Sequence, residues 1–441
     1  MDIILIKAVQ MLASLGLLIV IHEFGHFMFA RLFKTRVEKF YLFFDPWFSL
    51  FKKKVGDTEY GIGWIPLGGY CKISGMIDES MDKEALKQPP QPYEFRSKKP
   101  WQRLLIMIGG VLMNFLLAFI IYIGVTYAWG KTYLPNEALT YGVMVTDEGA
   151  KMGFRTGDKI VSLDGMPCES FDDIYKNLLL NDVRSIQVLR DGTPVDIPFR
   201  EEDIATLINQ RPFSPRPLFA CLVGDEIGMT AGLAGIRTGD SLVSVDSQQF
   251  QFYDQFQDYL KSRANQTVSL QVLRNGVSET LTPKISDDGK LGIGIVFSPA
   301  AFDYIEMKTM YYSFAAAIPA GLRYGWQTLG DYVKQLRLMV MPKTKAYKQV
   351  GGFIRIGSIF PAQWSWEGFW RLTALLSVML AVLNLLPIPA LDGGHVMFLL
   401  YEIITRRKPS DKFMEYAQMT GMALLLLLLI YANGNDILSL F

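Results

Sequence analysis

Apolar and polar positions divide this chain into four long apolar runs and two extended stretches of mixed character. The apolar runs, at about 3–33, 104–129, 372–391 and 414–432, are each long enough to cross a hydrocarbon core roughly 30 Å thick. Between the second and third runs the pattern shortens. Residues 160–163 and 185–189 read as strands around a helical 171–180, and the same order returns about eighty residues later. Residues 58–74 alternate glycine with aromatic and β-branched residues, which predicts strands and tight turns. Residues 304–341 mix apolar and aromatic positions with Asp331, Lys334 and Arg337. That predicts an amphipathic helix on or shallowly in the outer leaflet, with a fifth span as the rival reading.

The middle region is an internal duplication. Gly153, Arg155, Thr156, Gly157 and Asp158 recur as Gly235, Arg237, Thr238, Gly239 and Asp240. Val188, Arg190 and Gly192 then recur as Val272, Arg274 and Gly276, across Asp-Gly and Asn-Gly dipeptides that signal hairpins. Two copies of one compact α+β domain follow. Each resembles a PDZ domain, whose general use is to add an extended peptide to a sheet edge or hold a chain terminus. Two spacer modules that bind nothing are the plainer alternative.

Charge orients the spans. Residues 31–103 carry 14 Lys or Arg, and Arg406, Arg407, Lys408 and Lys412 follow the third run. The positive-inside rule assigns both segments to the cytoplasm, so both termini and the duplicated region face outward. The whole chain is nearly neutral, 44 basic against 43 acidic residues, which excludes a broad basic surface for nucleic acid. Cys71, Cys168 and Cys221 match neither a disulfide framework nor a zinc-finger spacing. They read as ordinary thiols, with a Cys168–Cys221 bridge left open.

The chemistry is concentrated in three histidines. His22 and His26 stand as His-Glu-x-x-His within the first apolar run, and on a helix positions four apart share a face, so both imidazoles can grip one zinc ion with Glu23 beside them as general base. Ionisable groups at membrane depth are costly unless they serve a site. The third, His395, follows Asp392 by one helical turn. Pro387 and Pro389 interrupt the third run just before Asp392, where a Gly-rich bend can aim a carboxylate inward. Spacing alone leaves open whether His395 ligates, giving a three-histidine site, or only packs nearby.

Five ordered signatures carry a resemblance spanning nearly the whole chain. They are His22-Glu23-x-x-His26, the stretch Ile65 to Lys72 containing Gly68, Gly69 and Tyr70, Gly109-Gly110-x-x-x-Asn114, the paired repeats, and Asn384-x-x-Pro387-x-Pro389-x-Leu391-Asp392-Gly393. Together they resemble the site-2 protease family of intramembrane zinc metalloproteases, most closely the bacterial type with tandem PDZ domains. The resemblance implies Zn2+ held by His22, His26 and Asp392, with Glu23 activating water. It implies membrane-associated strands that pair with substrate, to which Gly68, Gly69 and Tyr70 would contribute. Asn114 and Asn384 would hydrogen-bond the unwound substrate or its oxyanion, unless they only join helices. One departure stands out: family members commonly carry Gly-Phe-Gly where this chain has Phe43-Phe44-Asp45-Pro46. A loop without glycine is expected to avoid positive φ. Around it, Trp47 and Lys52 to Lys54 suit a lipid interface.

The expected fold class is therefore an α-helical polytopic membrane protein of about four transmembrane helices with membrane-associated strands and two extracytoplasmic PDZ-like domains. The expected domains are 1–129, 130–213, 214–302, 303–368 and 369–441. The implied activity is intramembrane cleavage of single-span proteins, anti-sigma-factor-like or signal-peptide-like, after a first extracytoplasmic cut, in a stress response of the bacterial inner membrane. The implied partners are such substrates, membrane lipid, and peptide termini or substrate ectodomains at the repeats. A non-proteolytic PDZ scaffold with a structural metal is the alternative. Glu23 argues against it, since a closed structural site needs no neighbouring base.

Overall fold

A computed structural model describes residues 3–76, 89–344 and 346–439, in two compact units. One comprises 1–131, 311–341 and 345–441, the other 132–310 and 342–344.

The first unit begins with helix α1 (Ile3–Leu32) and a four-stranded sheet of β1 (Val37–Phe44), β2 (Phe51–Val55), β3 (Thr58–Ile62) and β4 (Ile65–Ile73). The sheet order is β2-β3-β1-β4, with β1 and β3 parallel and β4 antiparallel on the outside. Helix α2 (Pro100–Trp129) follows. It crosses α1 where glycines face each other: a Cβ on Gly25 would lie 2.2 Å from the Gly109 carbonyl oxygen. Small residues let the two backbones touch, as membrane helices require for close packing.

The loop lacking glycine does not avoid left-handed backbone, contrary to expectation. Phe43 has φ of 68° and Trp47 of 74°. Phe43 sits at a register shift between Leu42 and Phe44. Trp47 stacks on Trp64, whose indole donates to the Pro46 carbonyl. Local packing overrides the steric preference of both residues.

The second unit opens and closes with a ribbon of β5 (Lys131–Tyr133) and β17 (Lys308–Met310). Its first module contains β6 (Val143–Val145), α3 (Asp147–Lys151), β7 (Lys159–Leu163), β8 (Met166–Pro167), α4 (Asp172–Leu180), β9 (Ser185–Arg190), β10 (Thr193–Pro198), α5 (Glu201–Asn209) and β11 (Phe213–Pro215). The second repeats the plan with β12 (Cys221–Ile227), α6 (Met229–Leu233), β13 (Ser241–Val245), α7 (Tyr253–Ser262), β14 (Leu270–Arg274), β15 (Val277–Leu281) and β16 (Ile293–Phe297). The repeated Arg and Asp form the same pair in each, a half-buried arginine on a buried aspartate: Arg190 on Asp158 and Arg274 on Asp240, at 2.8 and 2.7 Å. All three cysteines are free, and Cys168 and Cys221 belong to different modules.

The chain then returns to the first unit as α8 (Phe314–Val340), α9 (Phe353–Ile359), α10 (Trp366–Leu385), α11 (Asp392–Thr405) and α12 (Asp411–Leu438). α8 starts ten residues later than the sequence suggests, and it runs antiparallel along α2: Phe314 meets Tyr127, Tyr324 meets Tyr122, and Tyr332 joins the cluster around Ala118. The third apolar run ends its helix at Leu385, six residues early, because Pro387 and Pro389 supply no N–H to continue it. Among the described residues, four helices are long and apolar enough to span a bilayer: Ile3–Leu32, Pro100–Trp129, Trp366–Leu385 and Lys412–Leu438. Together with the sheets they make this a polytopic membrane protein.

Candidate metal centre

The break after α10 positions the third member of the cluster, Asp392. Residues 386–391 turn through Ala390, whose φ is 78°, and α11 begins at Asp392. Gly393 and Gly394 allow the turn: a Cβ on either would strike the Leu386 or Ile388 carbonyl, at 2.1 and 2.7 Å. Asp392 thus projects from the first turn of α11, where the helix dipole favours a carboxylate. His22 and His26 project from α1 onto the same point.

Three ligand atoms converge there. Asp392 Oδ2 lies 3.0 Å from His22 Nε2 and 3.3 Å from His26 Nε2. The two Nε2 atoms are 3.2 Å apart. His26 Nδ1 donates to the Ile106 carbonyl at 2.9 Å, so in the neutral ring its Nε2 carries only a lone pair. Asp392 Oδ2 is buried and, among the described residues, accepts no hydrogen bond. Lone pairs so close repel each other unless a cation lies between them. Zinc bonds of about 2.0–2.1 Å in a tetrahedron separate ligand atoms by about 3.3 Å, close to all three distances. The residues therefore fit zinc.

The surroundings hold this arrangement. A Cβ on Gly110 would come within 2.5 Å of His26 Nε2 and 2.7 Å of His22 Cε1, so only glycine lets the rings lie against α2. The Asn114 amide nitrogen is placed 3.2 Å from His22 Nδ1 while its Oδ1 is buried without a partner. Exchanging the two amide atoms lets Oδ1 accept from Nδ1–H, which fixes the tautomer that exposes Nε2. Asn384 Nδ2 reaches 3.4 Å from His22 Nε2. Ser377 ties α10 to α2 through the Asn114 carbonyl at 2.8 Å.

Glu23 and β4 complete the site. The Glu23 carboxyl takes a hydrogen bond from the Cys71 backbone, and a Cβ on Gly69 would press on Ile19, 2.5 Å away. A cavity of about 480 Å³ joins Glu23, both histidines and Asp392 to Gly69 and Tyr70. Gly68 lies under the Phe44 ring. The Tyr70 hydroxyl donates to Asp45 at 2.8 Å, and its ring stacks on Tyr41 and Phe44. His395 stands outside the ligand cluster, with Nε2 2.9 Å from the Gln418 amide. Gly110 and Asp45 went unassigned in the sequence. Gly110 was visible within its Gly-Gly signature, whereas nothing in the sequence links Asp45 to Tyr70.

The sequence profile of peptidase family M50 matches residues 10–428. This chain belongs to peptidase family M50. It is similar to the regulator of sigma-E protease RseP of Escherichia coli K12, 28% identical over 447 residues, covering 96% of this chain and 97% of RseP. It is also 28% identical over 448 residues to a Neisseria meningitidis serogroup A protein named "Putative zinc metalloprotease", covering 96% of this chain and 97% of that one. As a member of this site-2 protease family, the M50 chain is a zinc metalloendopeptidase whose cofactor is zinc.

Proposed function

We propose that His22, His26 and Asp392 hold the zinc and that Glu23 is the catalytic base of an intramembrane endopeptidase. The convergence of three potential ligand atoms on one point carries this reading, because α1 is itself long enough to span a bilayer. Zinc bound there supplies a Lewis acid for the scissile carbonyl and acidifies water. Glu23, adjacent in sequence to His22, takes the proton of the attacking water and passes it to the leaving amine. Asn384 is within reach of the oxyanion, and Asn114 orients His22.

A membrane-spanning substrate hides its amides in helical hydrogen bonds and must be unwound before attack. β4 ends the sheet order, so its outer edge can hold an unwound segment as an added strand through Gly68, Gly69 and Tyr70. The substrate is the transmembrane segment of a single-span protein, anti-sigma-factor-like or signal-peptide-like, cut after another protease has removed its outer domain. The modules at 130–213 and 214–302 act as PDZ-like units that admit trimmed substrates. The protein resides in a bacterial inner membrane, with these modules outside and the zinc toward the cytoplasm.

The test is a single-span model protein reconstituted in liposomes with its outer domain present or trimmed. The expected result is a cut within the apolar segment of the trimmed form alone. Equal cleavage of both forms would remove the gating role, and a cut mapped outside the apolar segment would remove the intramembrane reading.

A further inference from the structure

Helix α10 carries a stripe of polar residues within an apolar sequence. Thr373, Ser377 and Asn384 follow one another at helical spacing, with Ala381 between the last two, so they share one face. Asn384 reaches the metal cluster. The other two lie nearer the start of the helix and are fully buried, as are their partners, Ser14 on α1 and Asn114 on α2. The Thr373 hydroxyl is 3.0 Å from the Ser14 hydroxyl and 2.8 Å from the Phe369 carbonyl of its own helix. A carbonyl can only accept, so the single Thr373 proton goes to Phe369 and Ser14 donates to Thr373. One turn further on, Ser377 donates to the Asn114 carbonyl at 2.8 Å. α10 thus bonds α1 at one rung and α2 at the next.

All three helices are long and apolar enough to span a bilayer, where buried polar groups are costly unless they serve the protein. The contact between α1 and α2 shows what these can serve. The two helices touch through the backbones of Gly25 and Gly109, and lipid supplies no hydrophobic force to lock them. Glycine on glycine sets how close the helices come but leaves no side chain to stop one sliding along the other. A slip of one residue is about 1.5 Å, whereas a site stays productive only within about 0.5 Å. The rungs, at 2.8 and 3.0 Å, would be broken by about 3.6 Å, so together they oppose a slip of that size. Ser14 and His22 belong to the same buried stripe of α1, and the Asn114 amide lies 3.2 Å from His22 Nδ1. The depth fixed at the rungs is therefore carried along rigid helices to the first ligand and to the residue that orients it.

We propose that Thr373 and Ser377 are positioning residues of the hydrolytic site, holding α1 and α2 in the one register that sets His22 against Asn114. Both lie outside the cluster of His22, His26 and Asp392, so they act through the helices they join. Interhelical hydroxyl bonds in membranes add little stability. Loss of a rung should therefore appear in metal affinity and turnover well before it appears in folding. This rests on the zinc site proposed above and names what holds that site in register.

The test uses the full chain in lipid nanodiscs and reads zinc affinity by competition with a chelator, kcat and KM on a single-span substrate, and the thermal melt. Thr373→Val keeps the shape of the side chain and removes its hydroxyl. It should weaken zinc binding and lower kcat by about 10–100-fold, as loss of a group that orients a metal ligand does, with KM within about twofold of the parent. The melt should stay within a few degrees, and Thr373→Ser should restore both zinc binding and kcat. Ser14→Ala should repeat the loss, and combining it with Thr373→Val should cost no more than either alone, since both remove one bond. Ser377→Ala, on the other rung, guards against a variant that fails to fold. Zinc affinity and kcat within about twofold of the parent in either Thr373→Val or Ser377→Ala would overturn the proposal. So would a loss that Thr373→Ser does not restore, or one accompanied by a melt that is no longer cooperative. If the parent binds zinc and cuts while these variants match it, the rungs alone are refuted; a parent that binds no zinc would refute the site as well.

Discussion

Replacing Gly110 by alanine should dismantle the metal centre while leaving α2 folded. The added Cβ would sit 2.5 Å from His26 Nε2 and 2.7 Å from His22 Cε1, where ordinary contact begins at 3.4 Å. The His26 ring must therefore retreat by about 0.9 Å, which exceeds the roughly 0.5 Å within which a preorganised site stays productive. A misplacement of about 1 Å costs on the order of 10²-fold in rate, or about 2.7 kcal/mol in the barrier. Alanine favours a helix over glycine by about 1 kcal/mol, so a weaker α2 cannot explain the loss. Gly124, on the same helix, has open space where its Cβ would go, and Gly124→Ala is the matched control. Zinc content and cleavage of a reconstituted single-span substrate are measured for both variants. Gly110→Ala should lose zinc affinity and at least about 10²-fold in turnover, and Gly124→Ala should match the parent. If Gly110→Ala keeps its zinc and cuts within about twofold of the parent, the ring placement argued here is wrong.

Asn114→Leu should weaken zinc binding by about 10–100-fold in competition with a chelator, whereas Asn114→Asp keeps an acceptor for His22 Nδ1–H and should stay nearer the parent. The reverse ranking would mean that the amide nitrogen faces the ring. In the second module, burial alone would raise the Asp240 carboxyl, but the Arg274 guanidinium and the Arg237 backbone N–H outweigh it and hold it below the usual carboxylate range. Its contribution to stability is then complete above its unfolded value of about 3.9 and is lost as pH falls through the lower folded value. Arg274→Met should cost about 3 kcal/mol at pH 7 by leaving the carboxylate buried and unpaired. Urea melts across pH 3–7 should show that deficit shrinking in acid, and a deficit independent of pH would assign the loss to packing instead.

The spans were legible because their cause is local: apolar length decides them, and four runs became four helices of spanning length. That His22 and His26 come together was legible because they share a helical face, while the approach of Asp392 depended on resemblance, since a contact 366 residues away in sequence leaves no local trace. Two features resisted for the same reason. Phe43 and Trp47 take left-handed backbone only because a register shift and the Trp64 ring hold them there, and hydropathy cannot register such support. α8 reads as amphipathic, yet its polar and aromatic positions do not reveal that Tyr324 and Tyr332 lie against α2.

Glu23→Gln tests the central claim most directly, measured as zinc per chain by atomic absorption and as cleavage of a single-span substrate in liposomes, side by side with the parent. The amide keeps the shape of the carboxyl and lies outside the three ligand atoms, so both proteins should carry one zinc. Loss of a general base removes about 10²–10⁴-fold of rate, so cleavage by the variant should fall by at least that much. A variant that retains zinc and cuts as fast as the parent would contradict the assignment of Glu23, and with it the account of how this site hydrolyses a peptide bond within the membrane.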